Sequence, residues 1–330
     1  MSTSHNDVRI GVAAVLVASI LWGTTGTAAA FAPEVSAAAI GAAAMGIGGL
    51  LQAAMAASSI YRAFSGLVRN WPLLLGGGVA VAIYPLAFYG SMRLAGITIG
   101  TVVTIGSAPL FAALIERMLD GTHLSRQWLF AAVIGVVGMI LLCAAGGHRA
   151  EAAVSGPDVL AGVALGLIGG LTYALYSWTA RTVMMRGTPS LAVMGATFGL
   201  GGLLLMPVLV ATGGPFLASW NNAAVGIYMA FVPMFLGYVC FGLGLARVSA
   251  SMATTITLIE PVVAAILAVV IIGERLQALG WIGVALVVFC LVVVTAPKKL
   301  PVERRSAVEP CSQHGADMAK NTCHSPPDMV

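Results

Sequence analysis

Glu260 is an acid in the middle of an apolar block, thirteen residues from Arg247 and fourteen from Glu274. A charged side chain at the centre of a bilayer costs about 2.5–3.5 kcal/mol on insertion scales, so such a group must face protein or water. Two roles fit it. It can exchange protons or contact an amine, or it can bond a neighbouring helix and stabilise a kink at Pro261. Glu116, beside Arg117 near the end of another block, reads as an interface charge.

A second group is aromatic: Trp22, Tyr84, Phe88, Tyr89, Tyr173, Tyr176, Trp178 and Tyr238 lie within apolar blocks, with Trp22, Tyr84 and Tyr173 deepest. Ring faces attract an ammonium or an apolar side chain, and phenol hydroxyls bond polar ends, which suits a pocket for a small zwitterion. Plain packing uses the same rings. Trp71, Trp128, Trp220 and Trp281 fall at block ends and read as an interfacial belt. Thr101, Thr104 and Ser107 recur every three residues and share one helix face. Those hydroxyls can meet a carboxylate, or they can bond their own backbone and adjacent helices.

Signatures of enzyme chemistry are missing where they would count. All five histidines (His5, His123, His148, His314, His324) fall in loops or termini, and no Gly-x-Ser-x-Gly or His-Glu-x-x-His occurs. Gly46–Gly49 and Gly76–Gly78 sit inside apolar helices, where they permit close packing and do not cradle phosphates. The sequence therefore predicts no enzyme, no cofactor and no metal. Cys311, His314, Cys323 and His324 match no standard zinc spacing. Without an arginine inside a span, phosphate-bearing ligands lack a cationic clamp.

The elements that must position these residues are membrane helices. Of the residues, 59% are hydrophobic and only 8% charged, too few charges to cover a water-facing surface, and a net charge of +4 is too small to argue for nucleic acid. A span needs about 20 apolar residues. Reading from charge to charge predicts spans near 10–31, 36–57, 71–91, 97–116, 127–146, 159–180, 190–211, 223–246, 251–272 and 277–296. Ala28-Ala29-Ala30 resembles a signal cleavage site, but the uncharged run from Ile10 to Pro33 exceeds a signal core, so the first span is read as retained. With the N-terminus inside, eight arginines fall in inner segments before the tail and three in outer loops, which predicts both termini cytoplasmic. Residues 298–330 read as a disordered tail.

The chain also repeats. An offset of 152 pairs Gly90 with Gly242, Pro109 with Pro261, and Tyr89 with Phe241; an offset of 151 pairs Trp22 with Tyr173. Ten spans then split five and five, and an odd number per copy inverts the second. Inverted repeats place a binding site at their interface and let the two sides open in turn. Pro109 and Pro261, mid-span in helices four and nine, are candidates for gating with Glu260.

The Pro-centred fourth and ninth helices, and the run Leu258-Ile259-Glu260-Pro261 through Gly273-Glu274-Arg275-Leu276, resemble the drug/metabolite transporter superfamily, with its EamA-type signature, over roughly residues 8–297. Within that group the YddG-like amino-acid exporters are the subgroup suggested. The resemblance implies an all-α transmembrane fold of ten helices in two inverted five-helix repeats. Residues 1–150 would hold the first repeat, 151–297 the second, and 298–330 the tail. It implies export of amino acids or related metabolites across a bacterial-type inner membrane, with membrane lipids and a small-molecule substrate as partners and no obligate protein partner. Efflux of drug-like amphipathic compounds is the alternative, and a channel or scaffold the alternative of another class. The first half departs from the pattern, carrying Gly121-Thr122-His123-Leu124 where many members have Gly-Glu.

Overall fold

A backbone surrounded by lipid must satisfy its hydrogen bonds within each segment, and these apolar blocks do so as helices. The computed structural model describes residues 5–146, 156–272 and 276–296. The spans are α1 (Asn6–Ala30), α2 (Ala37–Met55), α3 (Trp71–Ala95), α4 (Ile97–Leu119), α5 (Arg126–Gly146), α6 (Gly156–Met185), α7 (Ser190–Thr212), α8 (Trp220–Leu245), α9 (Ala250–Ile271) and α10 (Ala278–Thr295). Among the described residues nine helices are long and apolar enough to cross a bilayer. The remaining one, α5, is 21 residues long with its apolar part at Arg126–Leu142. The expected ten-helix, all-α transmembrane architecture is what the chain adopts, with boundaries within a few residues of the predicted spans.

Local chemistry sets the ends. Ser36, Ser125, Ser219 and Ser249 accept backbone N–H bonds at the starts of α2, α5, α8 and α9 at 3.1–3.2 Å, which satisfies donors otherwise left bare. Gly96, at φ 87°, turns the chain directly from α3 into α4, and Gly187, at φ 92°, turns α6 toward α7. A side chain would strain both positions. Two short helices, Ala57–Arg62 and Phe64–Arg69, lie between α2 and α3; the charge-to-charge reading did not resolve them.

Packing follows a rule. α3 lies along α6 and α8 along α1; α3 meets α7 and α8 meets α2; α4 meets α6 and α9 meets α1. The pairs α2–α7, α5–α10 and α4–α9 are each their own counterpart. Adding five to a helix number therefore converts each of these contacts into another observed one, as two inverted copies related by a pseudo-two-fold axis require. Close approach of backbones holds the pairs: a Cβ on Gly49 of α2 would stand 2.2 Å from the Phe198 carbonyl oxygen of α7, and one on Gly202 would stand 2.6 Å from that of Gly46.

Two spans depart from regular α geometry at their prolines. In α8 residues Ala230–Leu236, around Pro233, form a π segment. In α9 residues Thr257–Ile259 tighten to a 3-10 turn immediately before Glu260 and Pro261. Proline lacks the N–H that would continue the ladder, and such irregular turns concentrate where side chains must be aimed.

Candidate functional site

The ring cluster forms where the two halves meet. Trp22 of α1 lies 6.4 Å from Tyr173 of α6, centroid to centroid, 4.7 Å from Tyr238 and 5.3 Å from Phe241 of α8. Tyr84 of α3 lies 5.5 Å from Tyr173 and stacks on Phe88 at 5.9 Å, and Phe88 continues to Tyr89 at 5.2 Å. Tyr173 stacks on Tyr176 at 5.2 Å. Trp22 and Tyr173, paired by the repeat offset, thus face each other across the centre. The wall is completed by Phe241 and Phe198. Neither was singled out as a site residue from sequence, although the offset that pairs Phe241 with Tyr89 points to the first.

Hydrogen bonds fix the rings. The Trp22 indole donates to the Pro233 carbonyl at 2.8 Å, inside the π segment of α8. The Tyr173 hydroxyl donates to Thr257 Oγ1 at 3.0 Å, in the 3-10 turn of α9, and the hydroxyls of Tyr176 and Tyr238 lie 3.0 Å apart. Glycines make the room: a Cβ on Gly237 would fall 2.6 Å from the Trp22 indole nitrogen, and one on Gly41 would fall 2.4 Å from the Tyr89 ring.

Glu260 opens this group to chemistry. The 3-10 turn delivers it mid-span, half-buried, within electrostatic reach of Tyr84, Tyr89, Tyr173 and Tyr238. Among the described residues its carboxyl has no hydrogen-bond or ion-pair partner. That leaves the expected structural bond to a neighbouring helix without a recipient. Pro109 and Pro261 are buried on α4 and α9, which pack together.

Exposure is graded across the site. Tyr84, Phe88, Tyr89, Thr101, Ser107 and Glu260 keep partial exposure, while Tyr176, Phe198, Tyr238 and Phe241, nearer the face on which α1 begins, are buried. Ser107 bonds weakly back to the Thr104 carbonyl, at 3.4 Å, and presses on Gly170 of α6. The hydroxyl stripe therefore also serves packing. Elsewhere, a cavity of about 30 Å³, lined by Gln52, Met194 and Val239 among others, lies between α2, α7 and α8. It is large enough for about one water and is separate from the rings.

Three residues sit otherwise than expected. Trp178 does not join the ring cluster; its indole donates to Asp120 Oδ2 at 2.8 Å near the end of α6. Trp128 is no belt residue, because its indole donates to Thr255 Oγ1 at 3.1 Å and the ring is buried. Trp71, Trp220 and Trp281 are exposed as the belt requires. Glu116 is buried and accepts bonds from the backbone of Ala250, at 2.7 Å, and of Ser251, at 3.3 Å, and from the Ser251 hydroxyl. The charge-to-charge reading missed this because the partner lies 134 residues away. Among the described residues no group of three or more His, Cys, Asp or Glu could hold a metal ion. The Gly273-Glu274-Arg275 element and the tail residues Cys311, His314, Cys323 and His324 lie outside the described residues.

Ten spans in inverted halves around a central polar–aromatic site define a multi-pass membrane transporter. Residues 160–296 match the model of the EamA-like transporter family. The chain is 34% identical over 289 residues to a Bacillus subtilis (strain 168) protein named "Uncharacterized transporter YwfM", covering 86% of this chain and 94% of that one. It is 25% identical over 221 residues to a Streptantibioticus cattleyicolor protein named "Probable terminal-alkyne amino-acid exporter", covering 66% and 71%. A solved crystal structure, 20% identical, superposes with a TM-score of 0.70 over 86% of this chain and 96% of its own, a likeness of fold. The chain belongs to the EamA-like transporter family.

Proposed function

We propose that the protein is an alternating-access carrier for amino acids or similar small zwitterionic metabolites, exporting them across a bacterial inner membrane with both termini in the cytoplasm. The observation that carries this reading is Glu260, a half-buried carboxyl at mid-span with no hydrogen-bond or ion-pair partner among the described residues and within electrostatic reach of four tyrosines. A carboxylate held in such a place needs a cation or a proton, and the surrounding rings favour an ammonium. The hydroxyls of Thr101 and Ser107 stand on the neighbouring helix for the substrate's carboxylate. Trp22, Tyr84, Phe88, Tyr89, Tyr173, Tyr176 and Tyr238 line the remainder, and Pro109 and Pro261, mid-span, let α4 and α9 pivot. The relative named as an amino-acid exporter supports the substrate class.

Binding separates the parts of the zwitterion. Titration of purified protein with neutral and aromatic amino acids should give saturable binding that weakens when the amine is acylated. Equal binding of the acylated compounds, or binding confined to amphipathic cations lacking a carboxylate, would refute the amino-acid reading and favour drug-like efflux.

A further inference from the structure

Between α2 and α3 the chain reverses direction in three bends, at Ala56, Ala63 and Asn70. The two short helices between the bends, Ala57–Arg62 and Phe64–Arg69, therefore run across the end of the bundle. Depth follows from length. α2 has 19 residues, about 28 Å at 1.5 Å per residue, which crosses a hydrocarbon core of about 30 Å and leaves the bends among the lipid headgroups.

The segment has three faces. Each bend comes seven residues after the last, close to two helical turns, so the faces stay in register across the bends. Ala56, Ile60, Ala63, Leu67 and Asn70 point into the bundle. A Cβ on Gly195 of α7 would stand 2.4 Å from that of Ala56 and 3.4 Å from Ile60 Cδ1, and Leu67 is buried in the main core. The Asn70 side chain donates to the Gly66 carbonyl at 2.9 Å and accepts from Arg186, just past α6, at 2.6 Å. About 100° around the helix stand Tyr61, Phe64, Val68 and Trp71, all exposed. About 110° further stand Ser58, Arg62, Ser65 and Arg69, also exposed.

The docked face fixes the rotation of the other two. An exposed apolar stripe at headgroup depth lies against lipid, with Trp71 at the level of the interfacial belt. The adjoining arginines then stand among the phosphates. Neither has a hydrogen-bond or ion-pair partner among the described residues, and no Asp or Glu occurs between Glu34 and Glu116 to neutralise them along the chain.

From these three faces we propose that residues 57–71 form a shelf that binds an anionic phospholipid of the predicted cytoplasmic leaflet. Arg62 and Arg69 hold the headgroup, whose phosphate oxygens match the guanidinium fork. Tyr61, Phe64, Val68 and Trp71 take the upper part of the acyl chains. The inward face is fastened to α7 and to the end of α6, so a lipid seated on the shelf braces α2 and α3 of the first half against the second. The shelf is independent of which solute is carried.

The full chain, purified in detergent with phosphatidylcholine, is titrated with phosphatidylglycerol, and bound lipid is read by native mass spectrometry. Phosphatidylglycerol should displace phosphatidylcholine and raise the thermal midpoint. Arg62→Gln and Arg69→Gln should each weaken its binding about fivefold, and the pair about 30-fold. The two Arg→Lys variants should keep most of the preference, and Phe64→Ser should weaken both lipids alike. Should the Gln pair fold poorly, the single variants decide by the same readout. Equal retention of the two lipids by the wild type, or an undiminished preference in the folded Gln pair, would overturn the shelf. Inorganic phosphate that competes as well as phosphatidylglycerol would assign the arginines to a free anion. A changed oligomeric state in the Gln pair without loss of lipid would assign the surface to a second copy of the chain. Either result would also overturn the lipid site.

Discussion

Replacing Glu260 by Gln isolates the charge at the centre of the site. The two side chains have nearly the same shape, and Glu260 makes no hydrogen bond or ion pair among the described residues, so the substitution removes no structural contact. It also removes a potential carboxylate from mid-span, where an acid costs about 2.5–3.5 kcal/mol to insert. The thermal midpoint should therefore stay level or rise. Binding should change. A charge-assisted hydrogen bond from a substrate ammonium to this carboxylate contributes about 1.5–3 kcal/mol. At 1.4 kcal/mol per tenfold, its loss raises Kd by roughly 10- to 150-fold. Calorimetric titration of both proteins from pH 5 to 9 reads the effect. Wild-type affinity should fall as acid protonates Glu260, and the Gln variant should be flat with pH. Equal affinity and equal pH profiles in two folded proteins would refute both the amine contact and a coupling role.

Three further substitutions test the scaffold. Trp22→Phe keeps a ring but strands the Pro233 carbonyl in a dry interior, so it should lower stability by about 1–3 kcal/mol, read as a reduced thermal midpoint in detergent. Gly49→Ala drives a methyl against the Phe198 carbonyl oxygen and should cost about 1–3 kcal/mol through separation of α2 from α7; an unchanged midpoint would contradict the interlocked pair. Trp128→Phe loses one bond to Thr255, about 1 kcal/mol, and should leave substrate affinity untouched because the ring stands outside the cluster.

The spans were legible in the sequence because a bilayer imposes one length and one composition on every crossing. The meeting of the halves was legible too. The Trp22–Tyr173 offset identified residues that do face one another across the centre, proline pairing identified two helices that pack together, and Glu260 was visible simply as an acid where acids are rare. Other features depend on where distant segments land. Glu116 beside Arg117 looks like any charge at a span end until α9 begins above it, and Trp128 looks like a belt residue until Thr255 is placed beneath its indole. Trp178 lies only two residues from Tyr176, yet that step rotates it about 200° around the helix, toward Asp120 and away from the rings. The π segment of α8 was unreadable for a related reason: Pro233 signals a break, but the donors that meet its carbonyls, Trp22 and Gln52, come from segments about 180 residues or more away.

The claim that the chain is a carrier for amino acids is tested most directly by counterflow. Proteoliposomes loaded with one unlabelled amino acid at a time are given the labelled form outside, and uptake is followed against protein-free vesicles. Saturable accumulation driven by neutral or aromatic amino acids, and lost in Glu260→Gln at neutral pH, is the predicted result. Folded protein that exchanges none of the panel would contradict the account.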